Sequence, residues 1–393
     1  MAHKNENDVL HLVAWYPSED EPFRTPFIPS HFHAINVSGR HRLIHVEVKY
    51  KPGFPRFSFG RTLDNQLYRV ITLPTRKTRI VEFFSALLLA ITRLTLGKRW
   101  WSGVHVHVAW PLLRFPSFFI LLFGKNVLIG EHWSAYHHNF NLGIGSSAHK
   151  RMASMFSRNL PVTTVSKALA SDISHFAKPY EFPIHVIPNV VSHLQFYCST
   201  LASAAKRIDL RASVGVRFLM VASWQPIKRP LLVLEACRRA VHAGAKFQLR
   251  IIGDGPHRLE MERLASIASL EGIVTFLGPR EKHFVAEEMR QADALLHASA
   301  YETFSVVCAE AISCGTPVLA SRLEAIGEFI DDSNGVLVEN TVEAWTEAIL
   351  NFCREPRQWD HASIAANAHA RFAPEVVGRQ FRELYRALWQ QSS

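Results

Sequence analysis

Residues 294–321 read ALLHASAYETFSVVCAEAISCGTPVLAS, and this stretch decides the fold. ALLHAS is a short apolar run that ends in small polar residues, the pattern of a strand buried on both faces. SVVCAEAISCG reads as a helix opened near Ser305 and stopped by Gly315 and Pro317. TPVLAS is again a short β-rich run, so the stretch is a strand, a crossover helix and a second strand, the repeating unit of a parallel sheet.

The same alternation extends in both directions. Strands are expected at VLHLVAWY, RLIHVEVKY, VHVHVAW, NVLIGEHW, VTTVS and IHVIPN in the first half, and at RFLMVAS, KFQLRIIG, IVTFLG, ALLHAS and TPVLAS in the second. Helical patterns such as PLLVLEACRRAVHAG, with apolar residues recurring at three and four, lie between them. A chain of 393 residues is too long for one core. The expectation is an α/β protein with one domain over 1–195, a linker over 196–214, and a second domain over 215–373. The linker is read from Ser199 to Val214, which is rich in Ser, Ala and charge. A last helix within 374–393 carries Val377, Phe381, Leu384, Tyr385 and Leu388 on one stripe and can pack back on the first domain.

With 48% hydrophobic and 20% charged residues the chain falls outside the disordered and fibrous classes. Its charge is uneven: residues 1–195 hold 22 Lys plus Arg against 11 Asp plus Glu, whereas the remainder is close to neutral. A basic half suits an anionic bilayer surface, a phosphorylated ligand or nucleic acid, unless it is simply a solvated face. No nucleic-acid-binding motif accompanies it, so no nucleic-acid partner is expected. The N-terminal MAHKNEND lacks an apolar signal-peptide core, which makes the cytoplasm the expected location. The five cysteines form no CxxC pair, against a disulfide framework or zinc ribbon. The two most apolar runs, FFSALLLAIT and FPSFFILLFG, are each roughly half a membrane span.

Glu302 lies on the strand-to-helix turn of the opening stretch and Glu310 one to two turns inside its helix. The unpaired N–H groups at the helix mouth suit phosphate oxygens, and carboxylates suit sugar hydroxyls. The plain alternative is that Glu302 offsets the helix dipole and Glu310 is solvated.

LMVASWQPIKRPLLVLEA, LRIIGDGP, VTFLGPR, ADALLHAS, YETFSVVCAEAISCGTPVLAS and IGEFIDDSNGVLVE, in that order, resemble the donor-binding domain of the family 4 retaining glycosyltransferases. WYPSEDEPFRTPFI, VHVHVAW, GEHWSAY, VTTVSKAL and HVIPNVV extend the resemblance more weakly into the first half. It implies a GT-B fold, two Rossmann-like domains with parallel sheets facing across a cleft, the first binding acceptor and the second a nucleotide-sugar. Glu302 would then meet donor-sugar hydroxyls and Glu310 the ribose. The backbone of Phe304, Ser305 and Val306 would cradle sugar and diphosphate, and Lys228 would neutralise the diphosphate. Gly253 and Gly255 would allow close backbone approach to the nucleotide; the dinucleotide fingerprint fails because its third glycine position is Arg258. Ser223 stands where the family usually has an arginine, with Arg229 or Arg24 as candidate replacements.

Three histidine groups invite a metal reading: His105 with His107, His132, and His137 with His138. On a strand His105 and His107 share a face, as a metal hydrolase would need, but only Glu131 is an obvious further ligand. The resemblance instead makes His132 the catalytic group touching the transferred sugar and puts His105 and His107 near the acceptor or phosphate side. No metal and no cofactor are expected, and no Asp-x-Asp motif is present. RKTRIVEFFSALLLAITRLTLGKRWW, with its basic residues and Trp100-Trp101, suits either an anionic membrane surface or an ordinary core helix. The expected activity is sugar transfer from a nucleotide-sugar to a saccharide or lipid-linked glycan. It would be retaining and metal-independent, in polysaccharide or lipopolysaccharide assembly, in the cytoplasm or peripherally on the inner face of the plasma membrane. The alternatives are an epimerase or hydrolase acting on nucleotide-sugars, or a non-catalytic nucleotide-sugar-binding scaffold.

Overall fold

The computed structural model describes residues 8–17, 27–37, 39–62, 65–96, 101–198, 215–267, 270–354 and 358–389. Most of the expected linker, Arg24 and Trp100 lie outside the described residues. The chain divides into two compact units, Met1–Val190 with Pro374–Ser393, and Val191–Ala373.

The first unit is built on an eight-stranded sheet of β1 (Val9–Val13), β2 (Arg42–Tyr50), β3 (Arg56–Arg61), β4 (Leu67–Leu73), β5 (Gly103–His107), β6 (Val127–Glu131), β7 (Val162–Thr164) and β8 (Ile184–Val186). Their order is β3-β4-β2-β1-β5-β6-β7-β8, parallel except for the antiparallel β3–β4 pair. β1, β5 and β6 are buried along their whole length, which is why they read as near-continuous apolar runs. β3 and β4 were not foreseen. β3 is a short edge strand whose alternating Phe57 and Phe59 are exposed, so its pattern marks no core face.

The helix Thr78–Thr95 lies against β2 and β4 and buries Leu88, Leu89 and Thr92. It also buries Glu82, which pairs with Arg114 at 3.2 Å and Arg151 at 3.5 Å. No helix among the described residues is long and apolar enough to cross a membrane.

The last helix, Pro374–Trp389, belongs to the first unit and buries Val377, Phe381, Leu384 and Tyr385. It meets the helix Phe27–Ile35 at Gly378, where a methyl group would stand 2.0 Å from the Ala34 carbonyl oxygen. Backbone cannot yield as a flexible side chain can. Gly378→Ala is therefore expected to destabilise the protein by about 1–3 kcal/mol, read as a lower midpoint in urea unfolding. An unchanged midpoint would show that the two helices part at no cost.

The second unit has six parallel strands, β9 (Val216–Val221), β10 (Phe247–Ile252), β11 (Val274–Gly278), β12 (Ala294–His297), β13 (Val318–Ser321) and β14 (Gly335–Val338). Their order is β11-β10-β9-β12-β13-β14. β14 was also unforeseen, being four residues directly after a turn. The helix Pro230–His242 packs on the helix Val342–Arg354 over a core that includes Phe218, Leu249, Leu296, Trp345 and Ile349. Residues 191–198 join this unit through Val191 N–H to Phe372 C=O at 2.9 Å and a His369 Nε2 hydrogen bond to Phe196 C=O at 3.0 Å.

Candidate active site

The polar residues of the second unit converge where β9 and β12 end. β9 runs into a short turn, Pro226–Lys228, and two hydrogen bonds tie that turn to the loop after β12. Ala300 N–H donates to the Ile227 carbonyl at 2.7 Å, and Ser299 Oγ donates to the same oxygen at 3.1 Å. Ser299 N–H is in turn held by Ser321 Oγ at 2.9 Å, and its carbonyl accepts from Asn340 Nδ2 at 2.8 Å. Two residues far apart in sequence are thereby brought together: Lys228 Nζ donates to Glu302 Oε1 at 2.5 Å.

The same carboxylate oxygen lies 2.8 Å from His297 Nε2, and that nitrogen is 3.1 Å from Ser305 Oγ. With its proton on Nε2, His297 serves both oxygens. Burial by itself would raise the Glu302 carboxyl, but the His297 hydrogen bond and the Lys228 charge outweigh it and hold the pKa down at about 2. Glu302 is therefore an anion at any working pH.

Ser305 has φ 74° and ψ 82°, a left-handed conformation that costs a non-glycine residue energy. It turns the chain into the helix Val306–Ser313, whose first backbone bond runs from Ala309 N–H to Ser305 C=O at 3.3 Å. The N–H groups of Val306, Val307 and Cys308 have no carbonyl in their own helix, so the mouth beside Lys228 and Glu302 favours anions. One turn further in, Glu310 has no side-chain hydrogen bond among the described residues. Burial pushes its carboxyl up to about 7, with the Lys282 charge pulling the other way. A carboxyl without partners at this position is an unfilled acceptor.

Lys228, Glu302 and Ser305 are thus joined through His297, and Val306 and Glu310 lie on the helix that follows. Phe304 buries its side chain, stacked on Phe329 at 5.0 Å and edge-on to Phe372 at 5.4 Å, so only its backbone faces the role expected of it. Gly253 and Gly255 are required by the protein itself: a methyl group on Gly253 would reach the Ala222 carbonyl oxygen at 1.9 Å, and one on Gly255 the Trp224 nitrogen at 2.7 Å. The backbone of Ala222 and of the buried Trp224 therefore demands glycine at both positions. Ser223 is exposed, and Arg229 is left-handed with Nη1 donating to the Asn340 carbonyl at 3.3 Å. His297 is the member of this cluster that sequence reasoning passed over. A single histidine in an apolar strand has no spacing signal, although its place at the strand end five residues before Glu302 was visible.

In the first unit His132 follows β6 and stacks on Phe27 with centroids 4.4 Å apart. Burial lowers its pKa well below the usual 6.5, so the imidazole is neutral, and Nδ1 has no partner among the described residues. The preceding Glu131 accepts Ala109 N–H and the Tyr136 hydroxyl, each at 2.7 Å, and burial raises its carboxyl to about 7. The Ala109 bond braces Val108, held at φ 69°. His105 and His107 are fully buried within β5, whereas His137 is exposed and lies 3.1 Å from Asp172.

Residues 208–370 match the family model of the glycosyl transferases group 1. D-inositol 3-phosphate glycosyltransferase from Thermomonospora curvata is 31% identical over 164 residues, 39% of this chain and 38% of that protein. The chain thus spans under two fifths of that curated relative. Among solved structures, sucrose-phosphate synthase from Thermosynechococcus elongatus is similar with a TM-score of 0.71 at 19% identity, covering 98% of this chain and all (100%) of the other. Anabaena HepE in complex with UDP is similar with a TM-score of 0.74 at 16% identity, covering 97% of this chain and 100% of the other. These likenesses show the fold of the chain: it is GT-B, two Rossmann-like α/β units, with residues 208–370 similar to the group 1 glycosyl transferases.

Proposed function

We propose that the chain is a family 4 retaining glycosyltransferase, moving a sugar from a nucleotide-sugar to a saccharide or lipid-linked acceptor in polysaccharide, exopolysaccharide or lipopolysaccharide assembly. One observation carries the reading: an ion-paired Lys228–Glu302, supported by His297, at the mouth of a helix that also bears the unbonded carboxyl of Glu310.

The chemistry follows from the charges. A diphosphate arriving at the helix mouth competes with Glu302 for Lys228, which then stabilises the negative charge that grows as the sugar–oxygen bond breaks. Glu302, relieved of part of its cation, accepts hydrogen bonds from the sugar hydroxyls, and Glu310 accepts them from the ribose. The acceptor oxygen bonds to the anomeric carbon on the face the diphosphate leaves. Its proton passes to a diphosphate oxygen, so the reading names no separate protein base. Lys228 and the helix mouth supply the positive charge, and the reading includes no metal in the transfer. His132 is assigned contact with the transferred sugar. The basic first half is assigned an anionic membrane surface near a lipid-linked acceptor.

The test is a thermal-shift panel of UDP-, GDP-, ADP- and dTDP-sugars on the wild type and Glu310→Ala, with no metal added. One nucleotide class at about a hundred times its Kd should add about 2.7 kcal/mol of stability, and the variant should lose that gain. If every nucleotide-sugar leaves the wild-type midpoint unmoved, the reading fails.

A further inference from the structure

The core of the first unit is more polar than a sheet core requires. Register sets His11 on β1 beside His105 on β5, and His107, two residues on, shares their face. All three are fully buried. His11 Nδ1 lies 2.9 Å from His107 Nε2, and the His105 and His107 rings stack with centroids 4.0 Å apart. One ring nitrogen from each of the three lies within 4.8 Å of the other two. Gly130 on β6 makes room for this, since a methyl group there would stand 2.6 Å from His105 Nε2. Yet His105 Nε2 and His107 Nδ1 have no hydrogen-bond partner among the described residues. Each such orphan costs roughly 1–3 kcal/mol in a core. Apolar side chains on these strands would avoid that cost.

From this geometry we propose that His11, His105 and His107 bind a divalent transition-metal ion of the kind imidazole prefers, zinc foremost, inside the first unit. Two imidazoles one residue apart on a strand and a third on its neighbour offer three nitrogens to one point, the trihistidine set that zinc accepts with water or hydroxide in the fourth position. Zinc–nitrogen bonds of about 2.0–2.1 Å put tetrahedral ligand atoms roughly 3.3 Å apart, so modest side-chain shifts close the site.

The neighbours already hold the rings in place. Tyr385 Oη is 2.7 Å from His105 Nδ1, and His41 Nδ1 is 3.4 Å from His11 Nε2. Phe32, edge-on to His11 at 5.1 Å, and Phe381, 5.6 Å from His105, keep the surroundings apolar. The inference reverses the expectation of no metal at His105 and His107. It does not depend on the sugar-transfer reading, because no step of that chemistry uses these residues.

The experiment is to refold the full chain with zinc or cobalt(II), dialyse it, and measure bound metal and the visible spectrum. The proposal expects about one metal per chain, an intense tetrahedral cobalt band, and a raised unfolding midpoint that a chelator present during refolding abolishes. His11→Gln and His107→Gln should each lose the metal. Should they fail to fold, the cobalt spectrum of the wild type decides alone. Wild-type protein that retains under about a tenth of an equivalent overturns the proposal, as does full metal content in folded variants.

Discussion

Lys228→Ala is expected to slow sugar transfer about 10²–10³-fold, the loss seen when one preorganised group facing a developing anion is removed. The lysine is the only cation that the described residues hydrogen-bond to Glu302, and it sits on a turn fixed through Ile227, so no neighbouring cation moves into its place cheaply. Ser223, five residues earlier, is exposed and uncharged, and Arg229 is engaged with the Asn340 carbonyl. Stability should suffer less than rate. Glu302 keeps its His297 bond at 2.8 Å, and the Lys228 side chain is 22% exposed, so the ion pair is partly screened by water. Lys228→Arg should restore only part of the rate, because a planar fork does not reproduce an ammonium point charge. The readout is release of nucleoside diphosphate from whichever donor stabilises the wild type, with circular dichroism as the control on folding. A rate within threefold of wild type, about 0.7 kcal/mol in barrier, would remove Lys228 from the mechanism.

Glu310→Gln should make the protein more stable at pH 8 and less able to bind nucleotide. Burial raises this carboxyl from its ordinary 4.5 to about 7. Between those values the folded chain keeps a proton that the unfolded chain has lost, so stability falls as pH rises and the full penalty is present above about 7. The whole shift corresponds to about 3 kcal/mol, and contact of Glu310 with water reduces the expected gain to about 2 kcal/mol. At pH 4 both forms are neutral and the substitution should matter little. Urea unfolding at the two pH values measures the difference. A variant equally or less stable at pH 8 would show that the carboxyl carries no such penalty. A gain in stability paired with lost binding is the signature of a group kept for function at a cost to the fold.

The sequence conveyed the architecture well wherever burial imprints a pattern. β1, β5, β6, β9 and β12 are buried runs and were read directly, whereas β3 is exposed and β14 is four residues long. The carboxylate pair was legible because one helix and its turn carry both acids. The ion pair between Lys228 and Glu302 was not, because it depends on bonds between two loops that sequence order does not connect. The glycines of GDGP were read for ligand approach, and the structure adds a second reason for them, because the backbone of Ala222 and Trp224 leaves no room for a side chain. His105 and His107 stood out by spacing. His11, on a strand almost a hundred residues earlier, meets them only through parallel register.

The most direct test of the central claim is calorimetric titration of the wild type, without added metal, with the mono- and diphosphates of uridine, guanosine, adenosine and thymidine. Lys228 and the helix mouth should read the second phosphate, so one diphosphate should bind at least about tenfold more tightly than its own monophosphate, a gap of roughly 1.4 kcal/mol. Binding of none of them, or equal binding of a diphosphate and its monophosphate, would contradict the assignment of this site to a nucleotide-sugar.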